Sequence, residues 1–120
     1  MFICNAFKTK GRRGMKEKKD QIIKEVKKIN KLAEFFKVFG DGGRILILYS
    51  LLDEPMCVGD ISDKTGLSPS LVSHQLRVLR HSHLVKYEKQ GKHSVYQLDD
   101  EHVSEIIAIA YEHLEHRGEF

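Results

Sequence analysis

The stretch LSPSLVSHQLRVLR, residues 67–80, decides the fold. Ser68 followed by Pro69 is a strong helix start: a serine hydroxyl caps free N–H groups, and proline already has a helical φ and lacks an N–H to leave unpaired. From Pro69 to about His81 the side chains sort onto two faces. Val72, Leu76 and Leu79 repeat at helical spacing and form the apolar one. Ser70, Ser73, His74 and Arg77 recur at i, i+3, i+4 and i+7 on the other, with Gln75 beside them. Such short polar and basic groups can reach base edges and phosphates, whereas a merely solvated helix usually carries Glu and Lys. Just upstream, residues 58–65 read as a short helix and Gly66 as the turn after it. Two helices joined by a short glycine turn make a helix-turn-helix.

Downstream, LVKYEK (84–89) and HSVYQL (93–98) alternate apolar and polar residues around Gln90-Gly91-Lys92, which predicts a hairpin. Lys89, Lys92 and His93 sit near its tip, so it reads as a basic wing placed to meet phosphates or the minor groove. A last helix is expected from about Asp100 to His116, with Val103, Ile106, Ile107, Ala110 and Leu114 as its apolar stripe. Upstream, residues 20–39 predict an amphipathic helix: Ile22, Val26, Ile29, Ala33 and Phe36 recur at three and four, widened by Ile23, Leu32, Phe35 and Phe39. Gly40 ends it. Asp41 is expected to cap a second helix through Leu52, with Ile45, Leu46, Leu48, Tyr49 and Leu52 apolar, before Pro55 breaks the chain. The expected order is α-α-α-α-β-β-α: mainly α with a β-hairpin wing, a winged helix-turn-helix, with no internal repeat.

The 120 residues fit one modest domain, with 41% hydrophobic and 31% charged residues. No apolar run approaches the roughly 18 residues of a membrane helix. The opening MFICNAFKTKGRRG has too short an apolar stretch for a signal peptide, and its basic residues follow that stretch. A cytoplasmic protein is expected, and Cys4 and Cys57 make no disulfide framework. The net charge of +3 is unevenly spread. Residues 1–19 hold seven Lys/Arg and one acid, Glu17, and read as a flexible basic arm, with Met15 an alternative start. Residues 69–93 carry five basic residues against Glu88, and residues 99–119 carry seven acids against Arg117. That asymmetry suits a protein that meets a polyanion at one place and a cation at another.

Four metal-ligating side chains lie on the last helix: Asp100, His102, His113 and His116. His113 and His116 are three apart, so they can share an ion, and Asp100 sits at the helix start, where it can converge with His102. The two pairs cannot meet within one helix, because eleven residues span roughly 16 Å, whereas zinc ligands lie about 2 Å from the ion. Eleven residues is nonetheless close to three turns, so both pairs share a face. Two copies packed antiparallel about a two-fold axis would bring the start of one helix to the end of the other. This makes two equivalent intersubunit sites in a homodimer. Three imidazoles and one carboxylate favour zinc or cobalt over thiolate-seeking ions.

With these residues in place, the chain resembles the ArsR/SmtB family of metal-responsive repressors over about residues 30–116. GDGGRILIL (40–48) is similar to the start of the family's second helix, CVGDIS (57–62) to its metal-box segment, LSPSLVSHQLRVLR to its helix-turn-helix and LVKYEKQGKHSVYQL (84–98) to its wing. The resemblance implies a dimer that binds operator DNA without metal and lets go when zinc (alternatively cobalt, nickel or cadmium) is bound by Asp100, His102, His113 and His116. It also implies a second site built from the metal box: Cys57, Asp60 and Cys4, although Gly59 stands where some cadmium and lead sensors have a second Cys.

Two other readings stay open. A zinc hydrolase would need an open coordination position, a nearby base and a cleft, and no nucleophile motif is present, so neither an enzyme nor a small-molecule substrate is expected. A winged-helix regulator without metal would answer to oxidation of Cys57 or to a protein partner.

Overall fold

The computed structural model describes residues 15–120. Its elements are helix α1 (Met15–Phe39), α2 (Gly42–Ser50), strand β1 (Met56–Cys57), α3 (Val58–Thr65), α4 (Pro69–His81), β2 (Val85–Gln90), β3 (His93–Leu98) and α5 (Glu101–His116). The chain divides into two units, one ending at Phe36 and the other running from Lys37 to Phe120. No helix among the described residues is long and apolar enough to cross a membrane.

Helix α1 makes up the described part of the first unit. It begins at Met15, five residues before the expected start, with Glu17 in its first turn. Residues 15–19 therefore continue the helix instead of belonging to an arm; they are good helix formers, and an acid there favours the positive end of the helix dipole. Residues 1–14 of the expected arm lie outside the described residues. Its stripe of Ile22, Ile23, Val26, Ile29 and Leu32 stands exposed in the single chain.

The second unit is built around the inner face of α4. Val72, Leu76 and Leu79 are shielded from water together with Ile47, Leu48, Ile61, Leu84 and Val85. Helix α2 packs on α3 and α4. It turns Ile47, Leu48 and Leu51 inward and leaves Leu46 and Tyr49 exposed. The expected stripe is thus rotated: α2 ends at Ser50, two residues short of Leu52, and the pairs 47/48 and 48/51 are the ones that share a face. Tyr49 stacks instead on Tyr111 of α5, with ring centroids 6.1 Å apart, and Phe120 leans on Tyr111 at 4.8 Å. On α5, Val103 and Ile107 are buried, whereas Leu114, and Ile109 outside the expected stripe, are exposed.

Side-chain oxygens start three helices, two of them, at Asp41 and Ser68, as the sequence predicts. Asp41 accepts from the Arg44 N–H, Ser68 from the Leu71 N–H and Asp100 from the N–H groups of His102 and Val103. The turn between α3 and α4 has Gly66 at φ +78°, where a Cβ would be strained. Thr65 Oγ1 accepts from the Leu67 N–H, and Ser62 Oγ donates to the Leu67 carbonyl, so both backbone polar groups of Leu67 are paired.

The hairpin closes through Gly91 and Lys92, with Gln90 paired to His93 and Gly91 at φ +64°. A positive φ at the first of two turn residues is the type II′ geometry, which suits the twist of the flanking strands. Strand β1, which the hydrophobic pattern did not reveal, adds a third strand in the order β1-β3-β2. Met56 pairs with Tyr96 and Cys57 with Val95, so the residues opening α3 are tied to the base of the wing. Two residues are too short to show an alternating pattern.

Between α4 and β2 the chain reverses in a Schellman arrangement. The His83 N–H donates to the Arg80 carbonyl at 3.1 Å and the Leu84 N–H to the Leu79 carbonyl at 2.9 Å. His83 takes φ +58°, the left-handed conformation in which glycine is usual. Relieving a left-handed Cβ is worth about 1 kcal/mol, so His83→Gly should raise unfolding stability by that order. Leu76→Ala at the centre of the core should lower it by about 3 kcal/mol. Urea melts at fixed protein concentration check both.

Candidate nucleic-acid interface

Burial of Val72, Leu76 and Leu79 fixes which side of α4 meets solvent. Ser70, Ser73, His74 and Arg77 are exposed, as the spacing requires. Ser70 Oγ lies 3.4 Å from the capping Ser68 Oγ. Gln75 is placed differently. It is half-buried; its Nε2 donates to Asp41 Oδ2 at 3.1 Å, and its Oε1 accepts from Arg44 Nη1 at 3.3 Å. Its amide is therefore spent inside the fold. Helical spacing put it beside the polar face but could not show a carboxylate and a guanidinium 34 and 31 residues away in sequence.

Lys89, Lys92 and His93 are exposed at the end of the wing. The wing is held to α4 by a contact the sequence reading missed. The Arg80 guanidinium lies 4.6 Å from the centroid of the Tyr87 ring, and Tyr87 in turn packs on Tyr96 across the strand pair at 5.4 Å. The strand pair was readable as a hairpin signal; the register that sets Tyr87 opposite Tyr96 and the cation over the Tyr87 face were not. The Asp99 N–H donates to the Leu84 carbonyl at 3.0 Å and closes the base of the hairpin.

The four acidic and imidazole side chains of α5 fall at its two ends. Asp100 is extended (φ −156°, ψ 179°) and caps the helix, and its Oδ1 also lies 3.4 Å from His102 Nδ1. His113 and His116 lie in the last turn and are exposed, and His116 Nε2 is 4.0 Å from Glu112 Oε1. Among the described residues, no three His, Cys, Asp or Glu of one chain come close enough to hold an ion. Asp100 thus stands with His102, and His113 stands one turn from His116, but the two pairs are not brought together. At the metal box, Cys57 is half-buried at the N-cap position of α3 without capping it, and Asp60 is exposed in that helix's first turn. Cys4 lies outside the described residues.

A helix-turn-helix with a basic polar outer face and a tethered hairpin defines a DNA-binding transcriptional regulator of the winged-helix class, not an enzyme. The model of the bacterial regulatory protein arsR family matches residues 41–87. The chain is 36% identical over 100 residues to a cadmium resistance regulatory protein CadC homolog of Staphylococcus aureus, covering 81% of this chain and 83% of that one. It is 38% identical over 85 residues to the regulator NmtR of Mycobacterium tuberculosis, covering 71% of each. The similarity to the SmtB repressor homolog of Synechocystis is 38% over 84 residues, or 70% of this chain and 64% of that protein's length. Among solved structures, Rv0081 of M. tuberculosis superposes with a TM-score of 0.68 at 32% identity, covering 76% of this chain and 90% of that one. The homodimeric winged helix-turn-helix domain of Mb0332 from Mycobacterium bovis gives 0.69 at 28% identity, covering 77% and 89%. The chain belongs to the ArsR/SmtB family.

An exposed cation–π contact contributes about 0.5–1 kcal/mol. Arg80→Ala should therefore speed amide exchange in β2 and β3 by roughly two- to fivefold, with the exchange of Leu76 and Leu79 amides unchanged. Equal rates throughout would show that Arg80 does not hold the wing.

Proposed function

We propose that this regulator is a metal-responsive repressor that works as a dimer. Without metal it holds operator DNA, and with zinc bound across the subunit boundary it releases the DNA. The observation that carries this reading is the placement of Asp100 and His102 at one end of α5 and His113 and His116 at the other, all four exposed. Two antiparallel copies of α5 would join the start of one to the end of its partner. The donor set suits the ion: His102 Nδ1 lies 3.4 Å from Asp100 Oδ1, His113 and His116 are one helical turn apart, and the Asp100 carboxylate that caps the helix keeps a second oxygen for a ligand bond. Exposed Ile109 and Leu114 on the same helix, and the exposed α1 stripe, favour covering by a second copy. Relatives named for cadmium and arsenical resistance support a metal signal without choosing zinc over cobalt, nickel or cadmium.

On DNA, α4 enters the major groove with Ser70, Ser73, His74 and Arg77, and Lys89, Lys92 and His93 of the wing meet backbone or minor groove. The two half-sites lie about 10 bp apart, one helical turn. When bound, zinc supplies a charge and a fixed geometry that lock four side chains of two chains together. A ligand moves an equilibrium only by its differential affinity for the two states, so operator and metal must weaken each other equally. The spare ring N–H of His113 or His116 carries the signal toward the DNA-binding region, as outer hydrogen bonds of metal ligands commonly do. A second site at Cys57, Asp60 and Cys4 would take a softer ion, since thiolates select for one.

A duplex enriched by the metal-free protein from random DNA serves as operator. Anisotropy titrations with and without zinc, for the wild type and a His113→Ala/His116→Ala double variant, should show release by zinc only in the wild type. Equal affinity in all four arms would refute the sensor. Arg77→Ala should weaken selected-duplex binding about tenfold or more. Lys92→Ala should weaken all duplexes alike and reduce the salt slope by about one. A Cys57→Ser variant that no longer responds to zinc would move the sensor to the metal box.

A further inference from the structure

We infer that Gln75 is a positioning residue which sets the rotation of α4 on DNA without touching DNA itself. It acts through a hydrogen-bonded chain that begins in the last turn of α1. Arg44 Nε donates to the Val38 carbonyl at 2.9 Å, and Arg44 Nη1 donates to Gln75 Oε1 at 3.3 Å. Gln75 Nε2 then donates to Asp41 Oδ2 at 3.1 Å, and the same oxygen accepts the Arg44 backbone N–H at 3.0 Å. Asp41, Arg44 and Gln75 are all half-buried. The chain closes tightly over Gly43, where a Cβ would meet Asp41 Oδ2 at 3.3 Å and Gln75 Nε2 at 3.6 Å.

The role follows from where Gln75 sits on its helix. Val72, Leu76 and Leu79 fix how deeply α4 is seated, but apolar contacts are non-directional and tolerate a roll about the helix axis. Gln75 lies on the flank, between that buried face and the exposed His74 and Arg77. Two hydrogen bonds to a charged pair, with defined directions, resist the roll. A roll of about 20° at a side-chain radius of 5–6 Å moves the outer groups by about 2 Å, enough to break a base contact. Loose phosphate contacts survive such a shift. The signature of this role is therefore lost discrimination between sequences with little loss of general DNA affinity.

The inference rests on α4 being the helix that reads DNA. The test measures binding of the full chain to the selected duplex and to a scrambled one. It uses the wild type, Asp41→Asn, Gln75→Glu and the double variant, with melts to confirm folding. Asn caps helices as well as Asp does. Gln75→Glu keeps the acceptor for Arg44 but sets a carboxylate against Asp41; in the Asp41→Asn background an amide again faces a carboxylate. Gln75→Glu should cost about tenfold on the selected duplex and threefold or less on the scrambled one, and about threefold or less on the selected duplex when Asn occupies position 41. Gln75→Met, neutral and of similar length, should also lose about tenfold in discrimination and covers the case in which the Glu variant does not fold. An equal cost in both backgrounds would assign Gln75 to direct contact with DNA, and no cost in either would remove it from positioning; both overturn the inference. Arg77→Ala should be equally harmful in both backgrounds. If it is harmless, α4 does not read DNA, and the positioning role falls with that placement.

Discussion

Val72, Leu76 and Leu79 lie fully out of water, and that burial decides which face of α4 is left to solvent. Each such side chain contributes about 2 kcal/mol, against about 1 kcal/mol for a typical hydrogen bond. The apolar contacts therefore decide that α4 docks and how deep. Because Ser73, His74 and Arg77 lie opposite those three residues, the same burial presents them as a group. The outer face is a consequence of the inner one.

The polar contacts around α4 have another task. Asp41, Arg44 and Gln75 fasten its flank to the start of α2, and Arg80 over Tyr87 fastens its far end to the wing. Strand β1 pins the opening of α3 to the strand that Tyr96 occupies. The helix-turn-helix and the hairpin are thus held as one reading head, in which apolar burial supplies most of the energy and directional contacts supply the angles.

Helix α5 has a different logic. Its inner residues Val103 and Ile107 are used within the chain, but Ile109 and Leu114 remain exposed, and Asp100, His102, His113 and His116 are divided between its ends. The intersubunit role proposed for α5 rests on that open side. The proposed metal site needs something else to bring the two ends together. A second copy of the same helix is the simplest object that does so.

By itself the sequence determined the helix-turn-helix, the hairpin and the caps. Those features depend on neighbours within a few residues: Ser68-Pro69, Asp41 three before the Arg44 N–H, and a glycine at the hairpin tip. The reach argument for α5 also needed only the rise per residue. Tertiary structure alone decided the rotation of α2, which buries Ile47 and Leu51 instead of Leu46 and Tyr49, because two apolar faces were available and packing on α3 and α4 selected one. It alone decided the two-residue strand β1, and that Gln75 turns inward to partners more than 30 residues away. A side chain's position on a helix is written in its spacing, but what it touches depends on which distant residues the fold brings against it.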